Sequence, residues 1–154
     1  MDIVPNEWLL DYLNPAGDPR KRSFVLDFLL ALWKNGHRLV IGRDNRFSSK
    51  FYRCMKDFGF CPGAKKTLSV LFRSFYDSQK IVIIDETTRL SGDLAAKAPQ
   101  DDRYLLELGY SSGDRSVVTT DRRLKESCDG AGGIRIFLIG DLIKELKLDL
   151  VPPE

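Results

Sequence analysis

Apolar residues in this chain follow two spacings that take turns from one end to the other. Compact runs of β-type residues occur at Ile3 and Val4, at 38–42 (RLVIG), 80–85 (KIVIID), 116–119 (SVVT) and 134–139 (IRIFLI). Between them, apolar positions recur every three to four residues over 7–13, 23–35, 48–58, 65–76 and 102–108, around Leu124, and over 141–146. That is the period of a helix with one buried face. The unbroken run at 80–85 predicts a strand covered on both faces. Strands alternating with helices predict a parallel sheet with helices on both sides, a three-layer α/β/α arrangement of the α/β class.

Breaks fall where this alternation needs them. Residues 14–19 hold two prolines, a glycine and an aspartate and separate the first helix from the second. Gly36 ends the second helix, and Gly59, Pro62 and Gly63 part 48–58 from 65–76. The connection 86–100, with Gly92 and Pro99, reads either as a plain link or as a lid facing a substrate. With no internal repeat, residues 1–150 form a single domain and 151–154, with two prolines, a frayed tail.

Composition narrows the setting. A length of 154 residues with 43% hydrophobic content suffices for one core around a sheet. No apolar run reaches the roughly 20 residues of a membrane span, and Asp2, Glu7 and Asp11 replace the basic-then-apolar order of an export signal. Cys54, Cys61 and Cys128 are odd in number and lack CxxC spacing, so they suggest neither a disulfide framework nor a zinc site. The expectation is a soluble, cytoplasmic protein without a membrane partner. The net charge of +2 conceals a split: residues 1–80 hold 14 basic against 8 acidic side chains, residues 81–154 hold 10 against 14. Such a split suits a protein that holds an anionic backbone and a divalent cation, and solvated helix faces produce the same counts.

In a parallel sheet the functional groups gather beyond the carboxyl ends of the strands. Those positions hold Asn6 and Glu7, then Arg43 and Asp44, then Glu86, then Asp121 preceded by Thr119 and Thr120, while Asp101 and Asp102 open the helix before the fourth strand. Carboxylates brought together without bases repel unless a hard cation sits between them, and oxygen donors point to Mg²⁺ or Mn²⁺. Asp101 and Asp102 also read as a helix cap with its first-turn neighbour, and Asp121 as the cap of the short helix 122–125. Arg43, Arg46, Lys50, Arg53, Arg122 and Arg123 are placed to hold a phosphate backbone, with Phe47 and Tyr52 among them as stacking surfaces or, more simply, as core. No GxGxxG or GxxxxGK[ST] follows a strand, which disfavours dinucleotide and P-loop chemistry.

The stretch DDRYLLELGYSSGDRSVVTTDRRL, from Asp101 to Leu124, resembles the C-terminal signature of PIN-domain nucleases, in which an aspartate opens a helix and a T-x-D motif closes the next strand. Thr119 and Asp121 match the T-x-D, and Asp101 or Asp102 matches the helix-opening acid. IRIFLIGDLIKEL and the opening IVPNEWLLDYL are similar to the family's last and first elements. This resemblance implies a PIN-like fold and metal-dependent hydrolysis of RNA, an endoribonuclease of the kind that often serves as the toxin of a toxin–antitoxin pair. It implies Glu7, Asp101, Asp102 and Asp121 as catalytic and metal-ligating residues, and Asn6, Arg43, Arg46, Lys50, Thr119 and Arg122 as substrate-binding ones. RNA, an antitoxin protein and a second copy of the chain are the partners it implies. Pro5 and Lys50 stand where the family places acids, and they favour the alternative of a PIN-like fold without catalysis that binds RNA or protein.

Overall fold

A computed structural model of the protein describes residues 1–14, 16–56 and 62–153, with the side chains of 62–64 left aside. The expected break at Gly59, the end of the helix at Phe58, the thiol of Cys61, Pro15 of the first loop and Glu154 of the tail lie outside the described residues. Five strands, β1 (Asp2–Pro5), β2 (Arg38–Gly42), β3 (Ile81–Ile84), β4 (Ser116–Thr119) and β5 (Arg135–Leu138), form one sheet in the order β3-β2-β1-β4-β5. Every pairing is parallel.

Successive strand residues point to opposite faces, and each face has its own apolar cluster. Ile3, Leu39 and Val118 face a core built with α1 (Trp8–Asp11), α2 (Pro19–Lys34), α3 (Arg46–Lys56), α4 (Pro62–Asp77) and α8 (Ile139–Glu145). Their neighbours Val4, Val40, Val117 and Ile136 face α5 (Gly92–Lys97), α6 (Arg103–Ser111) and α7 (Arg122–Cys128). The protein is therefore mixed α/β with helices on both sides of an all-parallel sheet, as the alternating periods require. No helix among the described residues is long and apolar enough to cross a membrane.

Several elements differ from expectation. The second helix begins at Pro19 rather than Ser23, because the Asp18 carboxylate accepts the Arg20 N–H at 2.8 Å and Pro19 carries a φ suited to a first turn. The apolar period misses that turn because it is solvent-facing. The run 80–85 is not covered on both faces: β3 is an edge strand and Ile83 is 50% exposed. Hydropathy reports burial-compatible residues, and strand order decides which of them are buried. The connection 86–100 contains α5, pinned by the buried Leu94, so this part of it is packed connection rather than an open lid. Of the two aromatics assigned to core or stacking, Phe47 is buried and Tyr52 is 61% exposed.

Two polar anchors set the ends of β1. At its start the buried Asp2 carboxylate accepts both Nε and Nη2 of Arg38, at 2.6 and 2.9 Å, tying β1 to β2. At its far end the Trp8 indole N–H donates to the Val118 carbonyl at 3.1 Å, tying the first turn of α1 to β4. On the opposite face α6 approaches β4 so closely that a Cβ on Gly109 would lie 2.5 Å from Cγ2 of Val117. Gly109→Ala gains about 1 kcal/mol of helix propensity but meets overpacking of about 1–3 kcal/mol. The expected outcome is a lower urea midpoint at unchanged slope. A raised midpoint would show that α6 is free to move off β4.

Candidate functional site

Strand order reverses between β1 and β4, since β1 leads to β2 on one side while β4 and β5 lie on the other. The loops leaving these two strands diverge and open a cleft at their carboxyl ends, the usual ligand position in such sheets. Asn6 and Glu7 leave β1, and Thr119 and Asp121 leave β4. A hydrogen bond from Asn6 Nδ2 to Thr119 Oγ1 at 3.2 Å spans the cleft floor. Thr119 is fully buried and its Oγ1 also accepts the Asp121 N–H at 3.1 Å, so one hydroxyl sets the geometry of both loops.

Glu7 sits at the start of α1 and points into a basic corner. Its Oε1 accepts from Arg46 Nε at 2.7 Å and from the Tyr104 hydroxyl at 3.2 Å, and its Oε2 accepts from Lys50 Nζ at 3.0 Å. Arg46 and Lys50 are four apart on α3 and so share a face of that helix. Asp11, one turn after Glu7, accepts a second bond from Lys50 at 2.5 Å. Burial works against the Lys50 charge, but the bonds to Asp11 and Glu7 outweigh it and push its pKa up. Burial, with the Glu7 charge beside it, raises the Tyr104 pKa, so this hydroxyl stays protonated and donates.

The other acids form a separate edge of the cleft. Asp101 and Asp102 lie in a 3-10 turn, Gln100–Asp102, that runs into α6. Asp121 caps α7, its Oδ1 accepting from Arg123 N–H at 2.8 Å and Leu124 N–H at 3.3 Å. Asp102 flanks α6 as its N-terminal cap residue yet makes no capping bond. Among the described residues its half-buried carboxylate has no hydrogen bond or ion pair. Burial first, then the charges of Asp121 and Asp101, raise its pKa, with Arg46 opposing.

Most of the predicted site residues thus assemble, but in two charge environments. Asn6, Glu7, Arg46, Lys50 and Thr119 are joined through bonds, while Asp101, Asp102 and Asp121 act on one another electrostatically. Arg43 pairs with Asp85 at 2.5 Å beyond β2 and β3 instead of joining the cluster. Arg122 is exposed on α7 and bonds to none of these groups, and Asp44 lies in the turn before α3, where Asn45 accepts the Ser48 N–H at 3.0 Å. Tyr104 and Asp11 were not foreseen. Tyr104 follows Asp102 by two residues at the head of α6, and its placement depends on how α6 docks, which no local pattern reports.

A hard cation requires oxygen donors that are not already neutralised. Asp101 and Asp102 meet that condition, and Asp121 has one oxygen outside its cap, whereas both oxygens of Glu7 face cations. Among the described residues no three acidic, histidine or cysteine side chains stand close enough to enclose a metal as they are placed. The acid edge fits a hard cation in donor type only.

No protein-family model matches the chain, and neither the curated proteins nor the solved structures hold a match to it. The chemistry of the cleft therefore rests on its own residues.

The raised pKa of Asp102 has a signed consequence. Between the ordinary carboxylate pKa and the raised one, the folded state binds more protons than the unfolded state, so stability falls as pH rises through that window. Above it the full penalty of the buried charge persists. Asp102→Asn removes that penalty without losing a cap bond. The variant is expected to melt higher than the wild type at pH 7, with the advantage disappearing once acid protonates Asp102 in both states. A lower melting temperature at neutral pH would show that the carboxylate has a stabilising partner.

Proposed function

We propose that the cleft between β1 and β4 is a metal-dependent phosphodiesterase site acting on RNA, in the manner of the PIN-domain endoribonucleases that the segment Asp101–Leu124 resembles. The observation carrying this reading is the half-buried, unpartnered Asp102 beside Asp101 and Asp121, with cationic Arg46 and Lys50 on the facing side. Asp101, Asp102 and Asp121 would hold the ion, and Mg²⁺ or Mn²⁺ suits their oxygen donors. A bound ion supplies charge neutralisation at the phosphate and a water acidic enough to attack at neutral pH.

The protein's own residues do the rest. Arg46 is half exposed, and its guanidinium can turn from Glu7 to a phosphate oxygen in a two-pronged contact. Lys50, held charged by Asp11 and Glu7, adds a point charge at the same place. Glu7 keeps these two cations at the cleft, and Asn6 and Thr119 keep Glu7 and Asp121 in register with each other. The same reading carries a cytoplasmic setting and, as in small stand-alone PIN proteins, an antitoxin protein and a second copy of the chain as partners.

Purified protein is expected to cleave single-stranded RNA with Mn²⁺ and to stop in EDTA. Asp121→Asn should lower the rate on the order of 100-fold, as loss of a supporting or direct ligand does. Mn²⁺ at 100 times its dissociation constant should stabilise the wild type by about 2.7 kcal/mol and Asp121→Asn far less. Cleavage unaffected by EDTA and by Asp121→Asn would overturn the mechanism.

A second reading is favoured by one observation: Lys50 occupies the Glu7 carboxylate, which puts a cation where a metal ligand would be needed. A non-catalytic RNA-binding module follows from it. In that case no heat accompanies Mn²⁺ titration, and RNA binding ignores chelator, weakens steeply with salt and drops about tenfold in Lys50→Ala.

A further inference from the structure

Three of the five exposed large apolar side chains among the described residues, Tyr52, Tyr76 and Ile83, line one groove, while Val70 and Val151 lie outside it. Tyr52, Val70, Tyr76 and Ile83 are each half or more exposed and belong to α3, α4 and β3. Between those three elements runs a groove of about 340 Å³ lined by Phe51, Tyr52, Phe72, Tyr76, Ile81 and Ile83 among others. The rings of Phe51 and Phe72 lie 4.8 Å apart within it. Aromatic and branched apolar side chains thus line one wall beside the sheet.

The sheet edge along the groove is open. Leu39 N–H donates to the Lys80 carbonyl and Arg43 N–H to the Ile84 carbonyl, while Leu39 pairs in register with Ile81 and Ile41 with Ile83. In a parallel ladder the bonds to one neighbour use alternate residues, so Lys80, Val82 and Ile84 are the ones that turn inward to β2. Ile81 and Ile83 then turn their N–H and C=O groups outward, and their side chains lie over the groove. Among the described residues no strand follows β3 in the sheet order. Backbone groups in a row can be satisfied together by one kind of ligand, another extended chain.

Charge selects among the chains that would fit. Helix α3 carries Arg46, Lys50, Arg53 and Lys56 and no acid, and α4 carries Lys65, Lys66 and Arg73 against Asp77. Arg46 and Lys50 are committed to Glu7, but Arg53, Lys56 and Lys66 have no acidic partner among the described residues. Two such basic faces repel each other. An acidic partner meets complementary charge instead. RNA would meet the same charge, yet it has no repeating N–H and C=O pattern to match the edge.

We infer that the β3 edge and the α3–α4 groove form a docking site for an extended acidic segment of a partner protein, which adds as a sixth strand and sets alternate apolar side chains into the groove. This site is distinct from the cleft between β1 and β4 and needs no metal, so it stands or falls apart from the nuclease reading.

The test uses the full chain in EDTA with a fluorescein-labelled octapeptide of alternating Glu and Val, and its Lys and Val counterpart. The acidic peptide is expected to bind at least tenfold tighter than the basic one by anisotropy, and to slow hydrogen exchange of the Ile81 and Ile83 amides. Ile83→Pro removes an N–H that makes no bond within the sheet, so the fold is retained while peptide binding falls at least tenfold. Ile83→Asp, equally free to fold at a half-exposed position, should do the same by charge and lost apolar contact. Equal binding of the two peptides, or binding that neither variant weakens, overturns the proposal. A dimer in sedimentation that Ile83→Asp dissolves would assign the face to a second copy instead, and poly(U) binding abolished by Ile83→Pro would assign it to RNA. Either result overturns it too.

Discussion

The double pairing of β1 governs the rest of the molecule. This four-residue strand is hydrogen-bonded to β2 on one side and β4 on the other, with Ile3 buried toward one helical layer and Val4 toward the other. A one-residue slip would exchange those side chains between faces and is excluded by both cores at once. The Asp2–Arg38 pair fixes the strand's start and the Trp8–Val118 bond its end. Asn6 and Glu7 therefore leave the sheet at one height, level with Thr119, and the cleft exists because their partners lead in opposite directions.

Electrostatics within that cleft is divided rather than uniform. On the α3 side, a carboxylate is matched by two cations and a phenol; on the α6 side, acids face one another with little compensation. The first arrangement lowers its own cost and is stable as it stands. The second raises the energy of the folded state, because a partly buried carboxylate stands beside two others. The charge at Asp102 costs stability, while the paired charges around Glu7 do not.

The groove at β3 follows from the same topology. Because β1 and β4 occupy the middle of the sheet, the third strand falls at an edge and its outer backbone groups remain without a neighbour. An isoleucine-rich run at such a position is a liability for self-association, which the basic helix pair beside it restrains. The cleft and the edge lie on different parts of the sheet and differ in chemistry, one charged and polar, the other apolar with a basic surround.

Much of this was legible in the residues. Alternating periods of two and near four set the class, the parallel sense and the assignment of Asn6, Glu7, Thr119 and Asp121 to strand ends, because local hydrophobic spacing is imposed by secondary structure itself. The SVVT run pointed to β4 for the same reason, and Asp121 after it to the cap of the next helix. Strand order did not show, since it depends on contacts between distant segments, and so the 80–85 run was expected inside the sheet when it lies at the edge. Nor did the pairing of Glu7 with Arg46 and Lys50, or the arrival of Tyr104, which require α3 and α6 to dock from opposite layers onto one cleft. Residue identity by itself determined which groups stand at the ends of the strands. Only tertiary packing decided which of them are neutralised and which, like Asp102, have no partner among the described residues, because that balance is set by distances between elements far apart in the chain.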